Sequence, residues 1–170
     1  MDFTQKSNNI YLQLLELIRN KKHCVLATVT STIGSTPQKS GCSAIFGRNK
    51  LIAGTVGGGA VELAIGELAT KAVRSGKTGY YRFDLDNDIS DLEAAICGGG
   101  MSILVDAAPE KHIEVFESLN NSARKRIPGV LATFCGSGIA ECSGIKRIWI
   151  TSENINDLKG QLPVEIISSA

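Results

Sequence analysis

Apolar residues return at Ile10, Leu14, Leu15, Leu17 and Ile18, close to the spacing of one helical face, and the run ends in Asn20-Lys21-Lys22, which reads as a helix exit. The pattern then changes period. Cys24 to Thr30 is β-branched and apolar, as a buried strand would be, and Gly34-Ser35-Thr36-Pro37 breaks it. Ser43 to Phe46 and Leu51 to Val56 flank the polar turn Gly47-Arg48-Asn49-Lys50, a hairpin pattern that predicts antiparallel pairing in this part of the sheet. From Ala60 to Arg74 the residues Val61, Ala64, Ile65, Leu68, Ala69 and Ala72 form one stripe opposite Glu67, Lys71 and Arg74. This predicts a helix packed on the sheet and stopped near Ser75-Gly76.

Tyr80 to Leu85 and Met101 to Asp106 read as further strands, separated by an acidic stretch, 86–95, with a weak helical pattern from Ile89 onward. After Ala107-Ala108-Pro109 come a helix over His112 to Arg124, strands over Gly129 to Phe134 and Ile145 to Thr151, and a peripheral strand or arm from Glu153 through Leu162-Pro163-Val164. Val25-Leu26-Ala27-Thr28 recurs as Val130-Leu131-Ala132-Thr133, each after a helix with a basic exit. Four common strand residues are weak evidence of duplication, and coincidence is the better reading. The expected fold is a single α/β domain, a mixed β-sheet with packed helices.

Composition narrows the class without naming it. A chain of 170 residues, 43% apolar and 21% charged, can bury its own core. Its 18 Lys+Arg against 17 Asp+Glu leave a net charge of +1, so no global field recruits nucleic acid or an anionic membrane, and any anion selectivity is local. No run approaches the roughly 18–20 apolar residues of a membrane span. The start, Met-Asp-Phe-Thr-Gln-Lys, lacks a basic segment followed by a hydrophobic one. A cytoplasmic protein with five reduced cysteines, Cys24, Cys42, Cys97, Cys135 and Cys142, is therefore expected.

The chemistry concentrates in glycine. Leu51 to Ile65 runs from an apolar strand through Gly57-Gly58-Gly59 into the amphipathic helix. The first amides of a helix have no intrahelical partner and glycines let a ligand approach them, so this is a candidate anion cradle; close strand–helix packing would also explain the triplet. It is not a dinucleotide fingerprint, since Glu62 stands three residues after Gly59. Glu62 either contacts a ligand or complements the helix dipole. A second turn, Ile96-Cys97-Gly98-Gly99-Gly100, sets a thiol among bare amides, an environment that would favour the thiolate, although an isolated cysteine is more often a small buried apolar group. The two turns are read as halves of one site, with Ser35, Thr36, Gln38 and Lys39 as polar donors on a facing loop or as parts of an ordinary turn.

Other motifs fail on their spacing. Gly34 to Ser40 has Gln38 where a phosphate loop needs glycine before lysine. Asp84, Asp86 and Asp88 open like a calcium loop, but its sixth and twelfth positions hold Ile89 and Ala95. Cys135 and Cys142 lack a partner pair at zinc spacing, and His23 and His112 read as ordinary surface or core histidines.

Together, Ala27-Thr28-Val29, Gly34-Ser35-Thr36-Pro37, Gly41, Gly54-Thr55-Val56-Gly57-Gly58-Gly59 with Glu62, and Cys97-Gly98-Gly99 resemble the N-terminal domain of the XdhC/CoxI family, the maturation factors of xanthine dehydrogenase and carbon monoxide dehydrogenase type molybdenum hydroxylases. The likeness spans about residues 24–108, so 1–108 is expected to form the cofactor-binding segment and 109–170 a helix–strand extension of the same domain. The resemblance implies that the domain binds molybdenum cofactor, mono- or dinucleotide form unresolved, shields its sulfurated state and delivers it to an apo molybdenum hydroxylase. A cysteine desulfurase is a further candidate partner. By matching position it assigns Gly57, Gly58, Gly59, Glu62, Cys97, Gly98 and Gly99, and less securely Ser35, Thr36 and Gln38, to cofactor binding, with Cys97 as a molybdenum contact.

Two departures stand out. Family members commonly carry Arg where this chain has Gln38, and longer ones continue into a Rossmann-like domain that residues 1–170 do not contain. The expectation is an accessory protein, a homodimer because apolar strand edges need cover, more than a turnover enzyme. The alternatives are a thiol-dependent sulfurtransferase or oxidoreductase using Cys97, and a docking or regulatory module that holds no cofactor.

Overall fold

The computed structural model describes residues 9–48, 50–85, 99–136 and 144–158. Helix α1 (Ile10–Arg19) starts at Asn9, whose side chain accepts a hydrogen bond from the Tyr11 amide, and precedes strand β1 (Val25–Gly34). Strands β2 (Ser43–Phe46) and β3 (Leu51–Gly54) form the expected hairpin. Helix α2 (Gly59–Ser75) follows and stops at Gly76, whose left-handed backbone (φ 66) lets its N–H reach Ala72 O. Strands β4 (Gly79–Asp84) and β5 (Gly99–Asp106) complete a five-stranded sheet in the order β3-β2-β1-β5-β4. The four pairings are all antiparallel. The α/β expectation holds; the parallel pairs of a mixed sheet are not found among the described residues.

Strand alternation gives the sheet two buried faces. Val25, Ala27 and Val29 of β1 join Ile103 and Val105 of β5 against Val61, Ile65 and Ala69 of α2. On the other side Leu26 and Ile45 pack with Leu14 and Leu15 of α1 and Phe116 of α3 (Ile113–Arg124). A side chain of this size contributes about 1.5–3 kcal/mol when fully buried, so both faces hold the sheet. Strand β1 runs past its expected end at Thr30 to the expected break at Gly34: after a bulge between Val29 and Ser31 it pairs with β5 as far as Gly34 opposite Gly99. That extension brings the 34–37 turn beside Gly99.

A 3-10 turn (Pro109–His112) leads into α3, so the helix expected from His112 begins one residue later. Strands β6 (Gly129–Cys135) and β7 (Ile145–Thr151) form a separate two-stranded sheet. A buried ion pair from Arg147 Nη1 to Asp106 Oδ2 ties this hairpin to the end of β5, and the guanidinium also lies over the Phe116 ring. The repeated Val-Leu-Ala-Thr segment thus meets two environments: Val25 is fully buried, whereas Val130 is 65% exposed. Cys135 is disulfide-bonded, so the expectation of five reduced cysteines does not hold there. The weak helix expected within 86–95 and the arm at 162–164 lie outside the described residues.

Candidate functional site

The corner between β3 and α2 is built by glycines with different jobs. A Cβ on Gly54 (φ +77) would stand 2.2 Å from Ser43 O and 2.4 Å from Ile10 Cδ1, so only glycine lets the chain leave the sheet here. The Thr55 amide donates to Ser43 O (3.1 Å) and Val56 is fully buried, which anchors the corner. A Cβ on Gly57 would meet Pro37 Cγ at 3.1 Å and Val61 Cβ at 3.4 Å, whereas one on Gly58 (φ +66) would meet nothing within 4 Å. Gly57 is a packing point, and Gly58 presents bare backbone to open space.

Glu62 has a partner inside the corner: the Thr55 hydroxyl donates to Glu62 Oε2 (2.8 Å) and accepts from the Gly57 amide (3.2 Å). The carboxylate thereby fixes the loop ahead of its own helix. No side chain caps α2, whose N-cap is Gly58, so its first amides have no side-chain acceptor and the dipole there favours an anion. That donor set suits a phosphate-bearing ligand.

Residues 35–42 lie against this corner through Pro37. Within that loop the Thr36 hydroxyl donates to Gln38 O (2.9 Å), and the Cys42 thiol donates to Gln38 Oε1 (3.1 Å). Thr36 and Gln38 thus shape the loop, while Ser35 is exposed. The same loop reaches the second glycine turn. A Cβ on Gly99 would lie 2.3 Å from Ser35 O and 2.5 Å from Ile33 O, so the loop backbone rests directly on Gly99. Gly57, Gly58, Gly59, Glu62, Ser35, Thr36, Gln38 and Gly99 come together, then, around one loop. Cys97 and Gly98 lie outside the described residues.

Of the described thiols, Cys24 is buried, and burial followed by the charges of Glu110 and Asp106 pushes its pKa up to about 11, so it is no thiolate at neutral pH. Cys42 is half-buried and free. Among the described residues no group of three or more His, Cys, Asp or Glu could hold a metal ion. Sequence reasoning missed a cleft of about 450 Å³ beside the corner, running along α2 past Gly59, Glu62, Leu63 and Gly66, with Lys50 and Leu51 on the opposite wall and Phe46 as its floor. Its signal was Gly66, a glycine within a helix, whose Cβ would sit 3.7 Å from Phe46 Cε1. A hydroxyl group on the open part of the sheet also went unread: Tyr80 and Thr30 share a hydrogen bond (3.0 Å) that draws the phenol pKa below its usual value.

The crystal structure of a xanthine dehydrogenase from Bacillus halodurans has a similar fold, with a TM-score of 0.65 and 21% identity; the match covers 85% of this chain and 43% of that one. This chain therefore spans less than half of that protein's length. At that identity the likeness speaks for the fold. No curated protein matches the chain. The model of the XdhC and CoxI family matches residues 17–84, which take in the end of α1, β1, the 34–37 turn, the β2–β3 hairpin, the glycine corner, α2 and β4 and end before Cys97. The XdhC and CoxI family model thus matches the segment that carries the motifs of the turn and the corner.

Proposed function

We propose that this chain is a maturation factor for a molybdenum hydroxylase and that its glycine corner binds the anionic, phosphate-bearing end of molybdenum cofactor. The observation that supports the reading is the shared loop: Pro37 rests on Gly57 and Ser35 on Gly99, while Gly58 between them faces open space at an uncapped helix start. Backbone amides would hold the phosphate. Glu62 is hydrogen-bonded to Thr55, an arrangement that keeps the corner in shape with or without a ligand. The cofactor, when bound, would supply the molybdenum centre and its sulfur, for which a soft thiol such as Cys97 is the chemically matched contact.

The test is a titration of anaerobically purified protein with molybdenum cofactor, followed by transfer to the apo-hydroxylase. Gly58→Val should lower affinity at least about tenfold, the scale set by losing one to two charge-assisted backbone contacts. Wild-type affinity in that variant would overturn the role of the corner. Cys97→Ser should weaken retention of the sulfurated form, and unchanged retention would remove the thiol from the site.

A further inference from the structure

We propose that the cleft beside the glycine corner binds a flat bicyclic heterocycle with an amino-lactam edge, the edge that pterin and guanine share, and, resting on the function proposed above, that this ring belongs to the ligand whose phosphate the corner holds. The cleft's volume, about 450 Å³, is that of a small-molecule site and far exceeds a packing void. It is continuous with the corner, because Gly59 and Glu62 line it, and from there it follows one stripe of α2 through Gly66 to Thr70. That stretch of helix spans roughly 16 Å, which leaves room for a ring beyond the first-turn amides. Gly66 is what packing leaves unexplained. It lies inside α2, where glycine weakens a helix relative to alanine, and its backbone is not left-handed. A Cβ there would meet only Phe46 Cε1, at an ordinary contact distance of 3.7 Å. Alanine would fit the fold, so the missing side chain keeps the cleft open and nothing else. Beside this hollow stand Leu63, 60% exposed, and Leu51, 37% exposed, and aliphatic groups left in water gain by covering the faces of a flat ring.

The polar groups of the cleft select the edge of that ring. Glu62 Oε2 accepts from the Thr55 hydroxyl, which holds the carboxylate in place, while Oε1 has no hydrogen-bond partner among the described residues. Glu67, farther along the same stripe, has no ion-pair partner among them. Carboxylates only accept hydrogen bonds, so they favour a ring edge that presents N–H donors side by side. An amino-lactam does so through its ring N–H and its amino group. Its neighbouring carbonyl suits Lys50, which stands on the opposite wall and is in no ion pair among the described residues. Adenine instead sets a ring acceptor beside its amino group, and that acceptor would face a carboxylate.

Calorimetric titration of the full chain with pterin, guanosine monophosphate and adenosine monophosphate tests this. Pterin or guanosine monophosphate should bind with a dissociation constant below about 1 mM, and adenosine monophosphate at least about tenfold more weakly than the tighter of the two. Tighter binding of pterin identifies the ring as the pterin itself, and tighter binding of guanosine monophosphate as the base of a dinucleotide form. Gly66→Leu puts a Cβ where the fold has room and fills the hollow with the rest of its side chain. It should lose at least about tenfold in affinity for the ring while melting no lower than the wild type, because leucine favours a helix. Glu62→Gln with Glu67→Gln sets amide donors where carboxylates stood and should narrow the preference over adenosine monophosphate to about threefold or less. Pterin carries no phosphate, so its titration reads the cleft whether or not the corner holds an anion; failure of the corner shows instead in the Gly58→Val titration with whole cofactor. Absence of binding by both amino-lactam probes, equal binding of adenosine monophosphate, or wild-type affinity in Gly66→Leu would overturn the proposal. So would an unchanged preference in the double glutamine variant, and that arm decides the matter should Gly66→Leu fold poorly.

Discussion

At the scale of single residues, the glycines of one short motif differ in what a methyl group would meet, and their substitutions separate accordingly. Gly54 holds a left-handed backbone and has a carbonyl oxygen 2.2 Å from where Cβ would be. Gly58 shares the unfavourable φ but faces open space. Gly58→Ala should therefore cost only the strain of holding φ 66 and ψ −177, a region almost restricted to glycine, about 1–3 kcal/mol, whereas Gly54→Ala should cost more than that because β2 itself has to move. Urea denaturation midpoints check the order, and equal losses would show that the corner is not built as described. Cys24 adds a pH signature. Its folded pKa of about 11 stands above the ordinary thiol value of 9.0, so the unfolded chain releases its proton first. Stability is full below about pH 9 and falls as pH rises through 11, by roughly 2 kcal/mol for a shift of this size. Cys24→Ala should flatten that alkaline limb of the stability profile.

At the scale of elements, the sequence was legible wherever one physical signal dominated. The period of α1, the apolar stripe of α2 and the polar turn between β2 and β3 each depend on neighbours in the chain, and each was found within a residue or two. What could not be read depends on partners far along the chain. Strand β1 continues to Gly34 because β5 lies beside it, and nothing in Ser31-Thr32-Ile33 announces that pairing. Likewise, Gly57 and Gly58 are indistinguishable as letters; only the position of Pro37 makes one a packing contact and leaves the other open. Thr36 and Gln38 read as ligand donors because turn residues and binding residues share chemistry, and the fold uses them to brace the loop. The cleft was invisible for a similar reason: exposed Leu51 and Leu63 count as strand and helix residues until β3 and α2 are set side by side.

At the scale of the whole molecule, a buried ion pair among the described residues links the two sheets. Arg147 and Asp106 have side chains 1% and 3% exposed, Asp106 Oδ1 also accepts from the Ala108 amide (2.9 Å), and Arg147 Nε has no hydrogen-bond partner among the described residues. The pair is thus incompletely satisfied, and its net worth against apolar replacements is small, yet removing one member strands the other's charge in the interior. Arg147→Met alone should cost about 3–5 kcal/mol, while Arg147→Met with Asp106→Asn should lose clearly less than the two single changes added together. His112 supplies a local readout. Its pKa lies below the usual value because of burial first and the nearby Arg147 charge second, with Asp106 acting the other way. A lowered histidine pKa means that stability present above about pH 6.5 is lost as pH falls, since the unfolded chain binds that proton more readily. In Arg147→Met the repulsion goes and the attraction of Asp106 stays, so His112 should titrate at higher pH by NMR and the acid limb of the stability curve should move with it. An unchanged His112 titration would mean that the guanidinium does not hold the hairpin against this end of the sheet.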